Sequence, residues 1–77
     1  MRIPHLDVKE IVNVFGGGPL GCVRALREAG FSVETQAVRH WSRRDRLPMD
    51  GFLMISTAHE VRTGKPLDIN KYIRRSH

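Results

Sequence analysis

The chain has a single cysteine, few aromatic residues and no long apolar segment. Because Cys22 is alone, no disulfide can form within the chain, and a reducing cytoplasm is the expected location. No apolar run approaches the roughly 18 residues of a membrane-spanning helix, so we expect no membrane partner. Residues 1–5 also lack the apolar core that is typical of a signal peptide.

Groups of chemically reactive side chains are missing as well. The carboxylates are spread singly, and no Ser-His-Asp or Cys-His pairing follows from their spacing. The histidines at 5, 40, 59 and 77 do not pair with one another or with Cys22 as zinc ligands do. The glycine run at residues 16–18 lacks the Lys-Ser or Lys-Thr that completes a phosphate loop. We therefore expect no enzyme, no metal or other cofactor, and no small-molecule substrate.

Acidic residues are outnumbered, and this points to a polyanionic partner. The chain holds 13 Lys+Arg against 8 Asp+Glu, for a net charge of +5. Residues 39–46 are the most basic window, with four arginines, one aspartate and His40. A basic cluster beside a helix with polar side chains favours nucleic-acid binding over a merely solvated surface.

The spacing of apolar residues predicts an all-α domain of four to five helices that spans residues 1–77. After Asp7 as N-cap, the first helix follows the i, i+3, i+4, i+7 rule through Val8, Ile11, Val12 and Phe15, with Phe15 as its deepest anchor. Gly and Pro at residues 16–19 end it. The second helix runs from Pro19 to about Ala29, with Gly30 as its C-cap, and Cys22 is read as one of its small core residues.

The third and fourth helices are predicted over residues 34–44 and residues 51–63. Asp50 should cap the fourth helix and Gly64 should close it, while His59 and Glu60 should be exposed. Residues 1–6 are expected to form a flexible arm. In the tail, residues 65–77, Asp68 predicts a last helical turn, and a short strand through residues 67–72 is the alternative.

A chain of this length buries only about 60% of its unfolded surface, so dimerisation would help to stabilise it. The fourth helix is apolar over a wide arc around Phe52 and Ile55, and the tail is also apolar. We expect a homodimer, with either segment as the contact.

The third helix has two different sides. Val38 and Trp41 lie three residues apart and share a side, which we expect to be buried. The alternative for Trp41 is a platform on which single-stranded bases stack. The other side carries Gln, Arg and His, and Gln pairs with adenine and Arg with guanine in the major groove.

Residues 36–48, with the pattern Gln-Ala-Val-x-x-Trp-x-x-Arg-x-Arg-x-Pro, resemble the recognition helix and exit turn of Cro-like and YdaS-like helix-turn-helix regulators of phages and prophages. The resemblance covers roughly residues 8–73. It implies a small Cro/repressor-like helix-turn-helix fold, in which the third helix enters the major groove. One departure is that five residues separate Gly30 from Gln36, which is about two more than the usual turn.

The resemblance also implies roles for individual residues. Base contacts are expected from Thr35, Gln36, Arg39 and His40, and phosphate contacts from Arg24, Arg27, Arg43, Arg44 and Arg46. The expected function is a sequence-specific regulator, most simply a repressor, that binds a palindromic operator in double-stranded DNA within a bacterial host cell.

Two other functions remain open. The first is a phage protein that uses the helix-turn-helix scaffold to inhibit a host protein, such as RNA polymerase or a defence complex. The second is an excisionase-like architectural factor, whose family shares a similar helix but usually follows it with a β wing.

Overall fold

Four α-helices form the body of the structure, a computed structural model that describes residues 5–74 and the side chains of residues 6–73. They are α1 (Val8–Val12), α2 (Gly18–Glu28), α3 (Thr35–Arg44) and α4 (Met49–Thr63). A 3-10 helix (Ile69–Tyr72) follows, and a two-residue strand β1 (His5–Leu6) pairs antiparallel with β2 (Ile73–Arg74). The prediction of an all-α domain is confirmed, since the described β structure is confined to this short pair.

The core lies between α2 and the other three helices, all of which pack against it. It consists of small and medium-sized aliphatic side chains, and no buried polar side chain is present in the described part of the chain. Its largest fully buried side chains are Val8, Ile11, Val12, Cys22, Leu26, Val38 and Ile55. The aromatic side chains Phe15, Phe31, Trp41, Phe52 and Tyr72 pack around this core while remaining partly exposed.

The first helix is shorter than its apolar spacing predicts. Asp7 is the N-cap, as expected, and its carboxylate accepts a hydrogen bond from the Glu10 amide. The helix ends at Val12 because the Asn13 side chain turns away to accept a hydrogen bond from the Gly18 amide, at 2.9 Å. The prediction that Phe15 is the deepest anchor is wrong: Phe15 lies in the turn and is half-buried.

The two ends of the described chain meet. His5 pairs with Arg74 and Leu6 with Ile73, and the Asp7 amide donates to the Tyr72 carbonyl oxygen. The prediction of a flexible arm is therefore wrong for residues 5 and 6, while residues 1–4 lie outside the described residues. The arm was predicted from local sequence, whereas the pairing depends on a partner almost seventy residues away.

The tail folds as a 3-10 turn rather than as the alternative strand through residues 67–72. Asp68 caps it, as predicted, by accepting a hydrogen bond from the Asn70 amide. Leu67 is buried and Tyr72 packs against the core, so the tail completes the domain to which it belongs.

The fourth helix begins two residues earlier than predicted. Pro48 occupies the N-cap position and Asp50 lies inside the first turn, so Asp50 is not the cap. Gly64 closes the helix with φ +80°, as expected. The prediction that His59 is exposed is also wrong: it is half-buried, and its Nδ1 hydrogen-bonds to the Lys65 carbonyl oxygen at 2.8 Å.

Two glycines inside helices allow close approaches that a larger residue would disturb. A Cβ at Gly21 in α2 would overlap the carbonyl oxygen of Gly16 in the preceding turn. A Cβ at Gly51 in α4 would meet the Trp41 indole at 3.0 Å and a Leu47 methyl group at 3.1 Å. The first neighbour is backbone and the second is side chain, which can shift more easily.

These contacts predict that alanine at Gly21 destabilises the protein, although alanine normally stabilises a helix when it replaces glycine. Gly→Ala inside a helix normally stabilises it by about 1 kcal/mol. We expect Gly21→Ala to lower the free energy of unfolding by about 2–3 kcal/mol, because overpacking against backbone outweighs the gain in helix propensity. Gly51→Ala should lower the free energy of unfolding by less, because the Trp41 and Leu47 side chains can shift. Urea unfolding of both variants measures this, and equal stability of Gly21→Ala and the parent would contradict the close approach.

Candidate nucleic-acid interface

A long connection joins α2 to α3. Six residues, Ala29 to Glu34, separate the helices, so the tight turn of three or four residues in the standard motif is absent and the longer turn expected from the sequence is confirmed. Ala29 is the C-cap of α2, so the prediction that Gly30 is the cap is wrong by one residue. Gly30 follows with φ +97°, and Phe31 and Val33 pack against the core. Arg27 steadies it, because its Nε donates to the Val33 carbonyl oxygen at 3.3 Å.

Glu34 occupies the N-cap position of α3, so the helix begins one residue later than predicted. Its backbone is extended and its side chain makes no capping hydrogen bond. The first amides of α3 are therefore without a side-chain acceptor in the described residues. Thr35, the first residue of the helix, is half-buried and lies on the side of α3 that faces the core.

The inner side of α3 is held by Val38 and Trp41. Val38 is completely buried, whereas Trp41 is half-buried with one edge of its indole against Gly51 of α4. The expected core position of Trp41 is thus confirmed in part, since the residue packs against the core and remains partly exposed.

The outer side of α3 gathers four of the predicted contact residues. Gln36, Arg39, His40 and Arg43 follow the i, i+3, i+4, i+7 spacing and are all exposed. Arg44 is exposed beside them. One exposed stripe therefore offers an amide, an imidazole and guanidinium groups, all of which form hydrogen bonds with base edges or phosphates.

The arginines predicted to contact DNA are not neutralised by the protein itself. The single ion pair within the described residues joins Arg62 of α4 to Glu28 of α2, at 3.0 Å, and Arg62 also lies over the Phe15 ring. No carboxylate in the described part of the chain pairs with Arg24, Arg39, Arg43, Arg44 or Arg46. These five side chains, all exposed, are free to bind an external anion.

A sharp reversal of the chain ends α3 and forms a hollow beside it. Asp45 adopts a left-handed conformation, with φ 54°, and the Arg46 amide donates back to the Trp41 carbonyl oxygen. Residues 46–48 thereby return along the last turn of α3. The open hollow between them, of about 440 Å³, is lined by His40, Trp41, Arg44, Arg46, Leu47 and Pro48. The sequence analysis did not predict that Leu47 and Pro48 line this hollow. Their position depends on the left-handed conformation of Asp45, which residue spacing does not reveal.

The described residues contain no group of three His, Cys, Asp or Glu side chains that could hold a metal ion. No helix among them is both long and apolar enough to cross a membrane. Cys22 is completely buried, as its predicted core position requires, and this burial raises the pKa of the thiol from 9.0 to about 11.

Comparisons of the chain with models of protein families, with curated proteins and with solved structures find no match in any of the three. The site must therefore be interpreted from its own geometry and chemistry.

The raised pKa of Cys22 predicts a pH dependence of stability. The fold favours the neutral thiol, so its contribution is complete below pH 9 and is lost as the pH rises towards 11. We expect the stability of the parent, relative to Cys22→Ala, to fall by on the order of 2 kcal/mol between pH 8 and pH 11. Urea unfolding at each pH gives this difference, and a constant difference would show that the thiol ionises freely in the folded protein.

Proposed function

We propose that the protein is a sequence-specific binder of double-stranded DNA that reads base edges with the outer side of α3. The observation that carries this proposal is the exposed stripe of Gln36, Arg39, His40 and Arg43, anchored from behind by the buried Val38. A ten-residue helix is about 15 Å long and fits the major groove, which is about 12 Å wide.

The two ends of α3 take different roles in this proposal. Gln36 in the first turn and Arg39 in the second address base edges, where Gln is suited to adenine and Arg to guanine. Thr35 flanks them and, being half-buried, has less reach. Arg43 and Arg44 at the last turn, with Arg46 beyond it, address phosphates as the helix leaves the groove. Arg24 and Arg27 on α2 supply further phosphate contacts.

As a consequence, we propose a regulator of transcription that blocks access of RNA polymerase to a promoter. The phage origin rests on the resemblance of residues 36–48 to Cro-like and YdaS-like regulators. The excisionase-like alternative loses support, because residues 45–48 lead directly from α3 into α4 where that family usually has a β wing. Inhibition of a host protein remains the alternative that DNA selection must exclude.

Selection of bound sequences from a random duplex pool tests the function. We expect enrichment of one sequence with two-fold symmetry, whose half-sites lie about 10 base pairs apart. Recovery of an unenriched pool at physiological salt would contradict sequence-specific reading.

Single substitutions then separate base reading from phosphate binding. On the selected duplex, Gln36→Ala should cost roughly 1–3 kcal/mol of binding free energy and should cost little on scrambled DNA, because base contacts alone carry sequence information. Arg43→Ala should weaken binding to both duplexes and lower the slope of log affinity against log salt by about one unit. Fluorescence anisotropy across a salt series measures both effects.

Lys65→Ala is the matched control for charge, since Lys65 is exposed beyond the end of α4. It lowers the net charge by the same amount as Arg43→Ala and should change binding little. An equal loss on both duplexes for Gln36→Ala would mean that another part of the protein reads the bases.

The outward side of α4 supports a homodimer, which the two-fold operator requires. Met49, Leu53 and Val61 are exposed by 70%, 55% and 70%, although they are apolar. Met49 and Leu53 lie four residues apart on the side of α4 away from the buried Ile55, while Val61 lies three residues after the buried Ala58 and so at the flank of the buried side. Apolar side chains that are exposed together on the outward side of a helix are typical of a contact with another chain.

We assign this side of α4 to the same helix in a second copy of the chain. The tail is the weaker choice, because Leu67 and Tyr72 already pack within their own domain. Two α4 helices that pack antiparallel have two-fold symmetry, as two recognition helices on a palindrome require. The remaining charges on this side, Asp50 and Glu60, are acidic and would be repelled by DNA, so the surface stays available while α3 is bound.

Two leucines of equal exposure make a matched test of the dimer. Leu53 on α4 is 55% exposed and Leu20 on α2 is 54% exposed. We expect Leu53→Glu to be a folded monomer by sedimentation at micromolar concentration, because a charge would be buried at the contact. Leu20→Glu should sediment like the parent dimer. A parent that sediments as a monomer, or equal behaviour of the two variants, would refute the α4 contact.

A further inference from the structure

The hollow at the end of α3 is a second candidate binding site, which shares His40 with the base-reading stripe. Its lining combines the apolar side chains of Trp41, Leu47 and Pro48 with the polar or cationic side chains of His40, Arg44 and Arg46. Its volume of about 440 Å³ is within the range of about 300–1,000 Å³ that is common for small-molecule sites. No acidic side chain lines it.

We propose that this hollow binds an unstacked nucleotide, with the base on the indole of Trp41 and the phosphate on Arg44 and Arg46. The proposal rests on the proposed function in one respect, since it takes DNA as the source of the nucleotide. It differs in requiring a base that has left the duplex stack, which the outer stripe of α3 does not need.

The combination of apolar and cationic lining residues is what selects this ligand. A phosphate alone would need the arginines but would gain nothing from the indole, leucine and proline beside them. A purely apolar ligand would not use three cationic or polar side chains. A nucleotide carries both parts, because every base presents a flat π face that stacks on aromatic side chains and every phosphate accepts the paired hydrogen bonds of arginine.

The openness of the hollow indicates a nucleotide within a strand rather than a free metabolite. The hollow is bounded on one side by α3 and on the other by residues 46–48, and Arg44, Arg46 and Pro48 are exposed. A ligand in it would keep much of its surface in contact with solvent. A strand can continue beyond such a site, whereas a small metabolite usually needs a pocket that encloses most of its surface.

The fold also leaves the indole available for stacking. Gly51 lets one edge of the ring pack closely against α4, which fixes its orientation. Trp41 is nevertheless partly exposed and lines the hollow, although it is the largest apolar side chain in the protein. A fixed and accessible ring can stack on a base with little loss of conformational entropy.

Trp41 is the sole tryptophan, so its fluorescence reports on the hollow directly. The probes are an oligothymidylate of roughly eight nucleotides, a length within the range of known single-strand sites, thymidine monophosphate, inorganic phosphate and a blunt duplex without a selected site. We expect strong quenching by the oligonucleotide and weaker quenching by the monophosphate. Inorganic phosphate should leave the emission almost unchanged, and the blunt duplex should quench less than the oligonucleotide, because it offers phosphates but no unstacked base.

Substitution of Pro48 provides a test in which folding is preserved. Aspartate is a favoured N-cap residue, so Pro48→Asp should keep α4 intact while placing a carboxylate in the hollow. We expect it to weaken oligothymidylate binding by about ten-fold or more without lowering the melting temperature. Arg46→Ala should reduce the slope of log affinity against log salt by about 0.7, the value for one phosphate contact on a single strand. Lys65→Ala, with the same loss of charge as Arg46→Ala, should leave this slope unchanged.

Several outcomes would overturn the proposal. These are an absence of quenching by the oligonucleotide, equal quenching in Pro48→Asp and the parent, or equal quenching by inorganic phosphate. Quenching by an acidic, tyrosine-containing peptide but by no nucleotide would assign the hollow to a protein partner instead. Failure of this proposal can be distinguished from failure of the proposed function. If only the hollow is misassigned, the oligonucleotide does not quench but duplex selection still enriches one sequence. If α3 does not read DNA, duplex selection returns an unenriched pool.

Discussion

The burial of Val38 is the contact on which the arrangement of α3 depends. Among the residues of α3 it alone is completely buried, and it packs in the core formed by α1, α2 and α4. A helix of ten residues attached through one full anchor and the half-buried Trp41 exposes most of its circumference. The small core of a 77-residue chain and the large exposed surface of α3 therefore have the same origin, because few apolar side chains are available to cover the helix.

The helices of the body are predictable from the sequence because their determinants are local. Asp7 caps α1, Gly30 and Gly64 follow α2 and α4 with positive φ, and the period of 3.6 residues identifies the buried sides. The errors arise where distant residues compete with local ones. α1 ends before Asn13, whose side chain accepts a hydrogen bond from the Gly18 amide. The strand His5–Leu6 pairs with Ile73–Arg74, which lies at the other end of the described sequence. No periodicity within ten or fifteen residues contains this information.

One part of the candidate site can be predicted from the sequence and the other part cannot. The exposed stripe on α3 follows from spacing alone, because one buried Val38 determines which side faces solvent. The hollow does not follow from spacing, since it requires the left-handed Asp45 and the return of residues 46–48 beside Trp41. A non-glycine residue in that conformation is uncommon, although Asp adopts it more readily than most, so the sequence permits the reversal without requiring it.

The distribution of charge separates the proposed surfaces further. Glu28 neutralises Arg62 where α2 meets α4, and that pair, half exposed to solvent, contributes little to stability but removes one cation from the surface. The arginines of α3 and of the turn after it have no such partner among the described residues. The charged residues on the outward side of α4, Asp50 and Glu60, are both acidic. An approaching polyanion is consequently attracted to α3 and the hollow, and repelled from the side of α4 that a second copy would cover. DNA binding and dimerisation would then occupy different surfaces of one small domain, so that neither has to displace the other.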